Sequence, residues 1–212
     1  MAYRRTERVI ARLAARQDAI IAAARALAST EGMGAVQIVP VAARAGIAAG
    51  TVYRYFPSKD DLVSALMRAV ADAELAAISG AAAAAPGPLS ALAAAIMVLA
   101  MRMLGERRLA WAMLAETAEG DAGRRAFRSS LAAQFETLIR AAIAAGHLPE
   151  QDSAVAARAV LGALLEGLIG PLAPDRAGPD AQKSAAQALA LLSLRALGVV
   201  DARARGLVVQ AG

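Results

Sequence analysis

Residues 42–59 (AARAGIAAGTVYRYFPSK) constrain the fold of this chain more tightly than any other segment. They read as two short helices meeting at Gly46, because a glycine between two apolar-periodic stretches can take positive φ and turn the chain in very few residues. Ile47 follows as the apolar plug of such a corner. Pro57 closes the second helix, since the residue before a proline avoids the α region. That second helix carries Thr51, Tyr53, Arg54 and Tyr55 within about two turns. A helix so dense in hydrogen-bond donors suits a phosphate backbone and a groove.

At this segment the chain resembles the TetR family of bacterial transcriptional regulators. The resemblance runs from about Arg16 to Leu66 and rests on an ordered set: Gly32, Ala42, Ala45-Gly46, Gly50-Thr51, Tyr53, Tyr55-Phe56, Ser58-Lys59 and Leu62. It implies a helix-turn-helix head followed by an all-α body for ligand binding and dimerisation, acting as a repressor that a ligand releases. By position it implies phosphate contacts from Thr51, Tyr53 and Lys59, and places Ala49, Gly50 and Arg54 nearer base edges, with Tyr55 on either side. Three positions depart from the family pattern. Ala48 stands where a serine usually caps the recognition helix. Gln37 replaces a threonine or serine expected to touch phosphate. Pro40 falls in the first turn of its helix, where a missing N–H is tolerated.

Charge supports the same direction independently. Residues 1–60 hold nine basic residues (Arg4, Arg5, Arg8, Arg12, Arg16, Arg25, Arg44, Arg54, Lys59) against four acids (Glu7, Asp18, Glu31, Asp60). Their excess equals the net +5 of the whole chain, so the remaining residues are neutral overall. A basic head on a neutral body is the footprint of a nucleic-acid binder. Arg44 is placed to touch phosphate or to be solvated. Arg4, Arg5 and Arg8 form an arm that can reach an adjacent minor groove.

The residues are 58% apolar, with alanine the most frequent, yet only 3% aromatic. Alanine favours helix and strand formers are scarce, so the expected fold is all-α with about nine helices. The expected organisation is a three-helix head at 1–57 with its motif at about 38–57, a helical body at 58–200 joined through a fourth helix, and a tail at 201–212. The first helix is expected from about Arg16. The fourth is expected from Ser58 to about Ile78, and a breaker region at Gly80–Pro88 follows. Body helices are expected at about 88–104, 107–119, 121–145, 151–170 and 180–198.

Cysteine is absent, which removes disulfides and thiolate chemistry and fits a reducing cytoplasm. No signal peptide is read, because the Arg-rich first residues lack a following apolar core segment, and no clean membrane span, because Gly80, Pro86, Gly87 and Pro88 interrupt the longest uncharged stretch. His147, the single histidine, sits at an expected helix end. No cofactor, metal site or catalytic constellation is expected.

In the body, Met97, Met101, Trp111, Met113, Phe127 and Phe135, with Glu116 as a polar handle, are candidates to line a pocket for a small hydrophobic or aromatic effector. Equally, they are the large side chains from which an Ala-rich core must be built. Leu161, Leu164, Leu165, Leu168, Leu189 and Leu192 repeat at helical spacing on the last two long helices. They mark an expected homodimer face, two helices from each chain forming a four-helix bundle. The expected partner is double-stranded operator DNA. The rival functions are a helical protein-interaction module, or an activator of the same fold without a small-molecule ligand.

Overall fold

The computed structural model describes residues 2–114 and 122–212. It is all-helical, with ten α-helices among these residues and no strand. They are α1 (Ala2–Glu31), α2 (Ile38–Arg44), α3 (Ala49–Tyr55), α4 (Lys59–Ala84), α5 (Pro88–Gly105), α6 (Arg107–Leu114), α7 (Ala122–Ala144), α8 (Ser153–Leu164), α9 (Pro179–Ala196) and α10 (Asp201–Ala211). A single π turn, Leu165–Ile169, extends α8. The chain divides into two compact units, Met1–Val70 and Ala71–Gly212.

The first unit has a small core of Ile20, Ala24, Leu27, Val36, Val41, Val52, Phe56, Leu62 and Leu66, all nearly or fully buried. Its α1 begins well before the expected Arg16. Residues 2–15 contain no glycine or proline and hold four alanines and four arginines, so nothing stops the helix from growing toward the N-terminus. Residues 8–19 are exposed throughout, so local preference alone holds this half.

In the second unit α5 is the central element. It buries Leu89, Leu92, Ile96, Met97, Leu99 and Met103 among others, and packs against α6, α7, α9 and α10. By length and composition it is apolar enough to cross a bilayer, which the expectation of an interrupted stretch missed. Here it is the core helix. Gly80 likewise does not break α4, which continues to Ala84. The segment expected to be a tail forms α10 instead. Ala204, Leu207 and Val208 sit at i, i+3, i+4 and bury against α5 and α9. Three contacts diluted by Arg203, Arg205 and Gly206 give too faint a period to read.

Side chains tie these helices together. Arg102 on α5 forks onto Glu74 of α4, with Nε–Oε2 2.5 Å and Nη2–Oε1 2.7 Å. The Glu74 hydrogen bond raises the Arg102 pKa above its ordinary value, against the opposing effect of burial. Gln134 of α7 donates to the Leu75 carbonyl at 3.4 Å and to Ser79 Oγ at 2.5 Å. Arg107 donates to the Gly170 and Ala173 carbonyls at 3.4 and 2.9 Å, satisfying backbone acceptors just beyond the π turn. Asp201 at the start of α10 accepts from Arg205 and Arg195, and these two hydrogen bonds hold its carboxyl below its ordinary pKa.

Two glycines should respond oppositely to a methyl group. Gly198 turns the chain from α9 to α10 at φ +97°, and a Cβ there would meet Pro149 Cδ at 2.7 Å. Gly198→Ala should therefore lose about 2–4 kcal/mol in urea unfolding. Gly80 lies inside α4 with open space around it. Gly80→Ala should gain about 0.5–1 kcal/mol in the same measurement.

Candidate functional site

The corner between α2 and α3 is closed entirely by the backbone. Gly46 takes φ +66°, its N–H donates to the Ala43 carbonyl at 3.2 Å, and the Ile47 N–H donates to the Ala42 carbonyl at 3.0 Å. These two bonds satisfy the last carbonyls of α2 in the Schellman arrangement, which needs a residue free to enter the left-handed region. The following α3 buries only Val52, with Phe56 buried immediately after it. Both point to one side, so Gly50, Tyr53 and Arg54 are left exposed on the other, and Ala49, Thr51 and Tyr55 are half-buried between. Tyr53 keeps 53% of its surface accessible, high for a tyrosine in so small a unit. Phe56 belongs to the core. The exposed face thus carries a phenol and a guanidinium side by side.

Lys59 begins α4 and is exposed. Its placement is fixed by the preceding residue. Ser58 Oγ accepts from the Asp61 N–H at 3.1 Å while Asp61 Oδ2 accepts from the Ser58 N–H at 3.0 Å, a reciprocal capping box. Arg44 ends α2 in solvent. Gln37 takes the N-cap position of α2 without a side-chain cap, and its Nε2 donates back to the Gly34 carbonyl at 3.1 Å. Ala48 caps α3 with extended backbone, φ −70° and ψ 144°, but offers no acceptor. Arg8, Arg12 and Arg16 are exposed along α1. They stand on a helix rather than a loose arm. A helix about 10–12 Å across does not enter a minor groove about 6 Å wide, so the expected minor-groove reach does not fit this conformation.

In the second unit, a cavity of about 520 Å³ opens between α7 and α8 over α5. Its apolar wall includes Leu99, Met103, Leu131 and Leu165, and Arg125, Arg128 and Arg158 also line it. The candidate effector residues lie elsewhere. Met113, Phe127 and Phe135 are buried in the core, and Trp111 is half-buried on α6. Met97 and Met101 line a separate, smaller cavity of about 310 Å³ with Lys183. Glu116 lies outside the described residues. The large side chains were absorbed by packing, and the space formed where α7 and α8 carry small residues such as Ala132, Ala133 and Gly162.

Among the candidate dimer residues, Leu164 and Leu168 are buried within the protomer, and Leu161 and Leu165 line the 520 Å³ cavity. Leu189 stands where a Cβ on Gly167 would meet its Cδ1 at 2.8 Å, so the two helices approach closely there. Only Leu192 is strongly exposed, at 54%. It borders a groove of about 510 Å³ with Val155, Ala159, Ala163 and Ala196. The leucine period on α8 marks the face turned inward, and the outward face is made of smaller side chains. Among the described residues no cluster of three His, Cys, Asp or Glu could hold a metal ion.

A helix-turn-helix with an exposed, donor-rich second helix, followed in the chain by an all-helical unit, is the arrangement of a DNA-binding regulator. Residues 20–66 match the model of bacterial regulatory proteins of the tetR family, and residues 85–187 match that of the tetracyclin repressor-like C-terminal domain. The chain belongs to the TetR family and is a transcriptional regulator. It is 57% identical over 54 residues to the HTH-type transcriptional repressor KstR of Rhodococcus jostii, and 56% identical over the same length to KstR of Mycolicibacterium smegmatis. These matches span only about a quarter of either protein: 25% of this chain and 26% of each relative. Solved structures extend the likeness of fold over nearly the whole chain. The fatty acid degradation regulator FadR of Bacillus halodurans has a TM-score of 0.70 at 19% identity, over 84% of this chain and 97% of that one. RolR in complex with resorcinol has a TM-score of 0.62 at 21% identity, over 98% and 96%.

The missing acceptor at position 48 gives a direct test of how α3 is held. Ala48→Ser should raise stability by about 0.5–2 kcal/mol in thermal or urea unfolding, because the backbone there already has N-cap geometry.

Proposed function

We propose that this protein is a homodimeric repressor that holds a palindromic operator through α2 and α3 and leaves it when a small hydrophobic molecule occupies the body. The observation that carries this reading is the exposed face of α3. Arg54 has the reach and fork to pair with guanine O6 and N7 in the major groove. Tyr53, Thr51 and Lys59 are donors suited to phosphates on either side, and Arg44 and Gln37 extend that line along α2. Gly50 and Ala49 have almost no side chain, which lets the helix backbone approach base edges closely.

Two-fold symmetry gives the operator its palindrome, with half-sites about 34–36 Å or a multiple apart. The groove of Val155, Ala159, Ala163, Leu192 and Ala196 supports the second copy's position, since small apolar side chains let two helix pairs come close. Supporting an effector, the body holds a cavity of a size common for small-molecule sites, about 300–1,000 Å³. Relatives of the same fold are described with ligands: RolR with resorcinol, and FadR of Bacillus subtilis with stearoyl-CoA. The helices lining the cavity, α5 and α7, are bonded to the second half of α4 through Arg102–Glu74 and Gln134. Since α4 begins at Lys59, a ligand that repositions α5 or α7 biases a helix whose first turn belongs to the DNA face. Its expected setting is the cytoplasm, where the operator is.

Selection from a random duplex pool with purified protein should recover a palindrome, and recovery of no motif would refute the reading. On that operator, Tyr53→Ala and Lys59→Ala should each weaken binding about tenfold or more with unchanged melting temperature, and Lys59→Ala should also reduce the salt slope by about one. Leu192→Asp should shift the protein to monomer in sedimentation and abolish tight operator binding. Retention of the dimer would remove α9 from the interface.

A further inference from the structure

The cavity between α7 and α8 combines a greasy wall with three arginines. Arg125 and Arg128 are three residues apart on α7, and so lie on one helical face. Arg158 lines the same cavity from α8. All three are exposed, and none makes a hydrogen bond or ion pair with another described residue. Among the described lining residues the one carboxylate, Glu136, is bonded to Arg140 on its own helix. Three guanidinium groups around one opening repel one another, and nothing described in the protein neutralises them. A neutral hydrophobic ligand would fill the wall of Leu99, Met103, Leu131 and Leu165 and leave that repulsion in place.

We propose that this cavity takes an amphipathic anion: a long apolar body seated against α5, α7 and α8, and a carboxylate or phosphate held by Arg125, Arg128 and Arg158. The planar fork of arginine matches both anions with paired hydrogen bonds, and the two share this chemistry. The inference deepens the effector reading above and rests on it, replacing a merely hydrophobic molecule with one of defined charge. It also assigns roles that the large side chains of the sequence did not suggest. The head group is read by residues on the rim, and chain length is read by the leucine-lined floor. Ser129, next to Arg128 in the chain and one turn after Arg125, adds a hydroxyl to the same lining.

The test uses the full-length protein without DNA and a matched set of probes: fatty carboxylates of eight to eighteen carbons, their CoA thioesters, and the corresponding neutral alcohols. Binding is read by calorimetry. At some chain length the anionic probe should bind at least about tenfold more tightly than its alcohol, a ratio equivalent to one charge-assisted hydrogen bond. Arg125→Gln, Arg128→Gln and Arg158→Gln should each lower that preference severalfold, and the triple variant should abolish it with an unchanged melting curve. Preference for the free carboxylates assigns the head group as carboxyl, and preference for the thioesters assigns it as phosphate. Alcohols binding as tightly as anions, no probe binding at all, or a triple variant that keeps the preference would each overturn the proposal. Operator release is measured separately. An arginine-dependent ligand that binds without freeing the operator would leave this site standing and remove the release mechanism.

Discussion

The second unit depends on a single constraint, the burial of α5 on nearly every side. A helix that is apolar all round has no face to give to water, so its neighbours must surround it. This decides where α6, α7, α9 and α10 go. It also makes the Arg102–Glu74 fork consequential. Arg102 is the one charged residue within α5, near its C-terminal end, and its partner lies on α4. A charged pair at the edge of an otherwise apolar surface fixes register where leucine and alanine contacts, which slide easily, do not. The small size of alanine brings the helices close and leaves few large anchors. The space not filled collects between α7 and α8.

How much of this could be read from residues alone differs between the two units for a physical reason. The corner at Gly46, the plug at Ile47, the stop at Pro57 and the capping box of Ser58 with Asp61 all rest on interactions within five residues. Each therefore has a local signature. The same holds for the separation of Val52 and Phe56, turned inward, from Tyr53 and Arg54, turned outward. Helix boundaries were less legible wherever tertiary packing or plain propensity overrode punctuation. Gly80 is accommodated inside α4, and α1 extends toward the N-terminus through residues 8–15, which are exposed. At α10 the burial of three small side chains outweighs the polar residues around them.

The body's cavity was not legible in the same way. Methionines, phenylalanines and the tryptophan drew the expectation of a pocket because large apolar side chains line pockets and cores alike. In this protein most of them went to the core, since an alanine-rich bundle has few other residues to fill its interior. A cavity is the complement of packing and lies where side chains are small, so no single residue announces it. Arg125 and Arg128 were visible as an i, i+3 pair, but their meeting with Arg158 depends on how α7 packs on α8. Leucine periodicity on α8 likewise covers two environments: Leu164 and Leu168 are buried within the protomer, while Leu161 and Leu165 line the cavity.

The position of α5 in the chain has a consequence for how the protein is made. Its coverings do not all come from nearby sequence: α9 and α10 begin at Pro179 and Asp201, some ninety and more residues after Pro88. The first unit, closed by contacts among consecutive short helices, can assemble as soon as Val70 has left the ribosome. The most apolar helix of the molecule must wait until nearly the whole chain has been synthesised before its last neighbours arrive. During that interval α5 shows an uncovered greasy surface to the cell, the condition under which nascent chains recruit chaperones or aggregate. Slow translation of residues 106–200 prolongs that exposure.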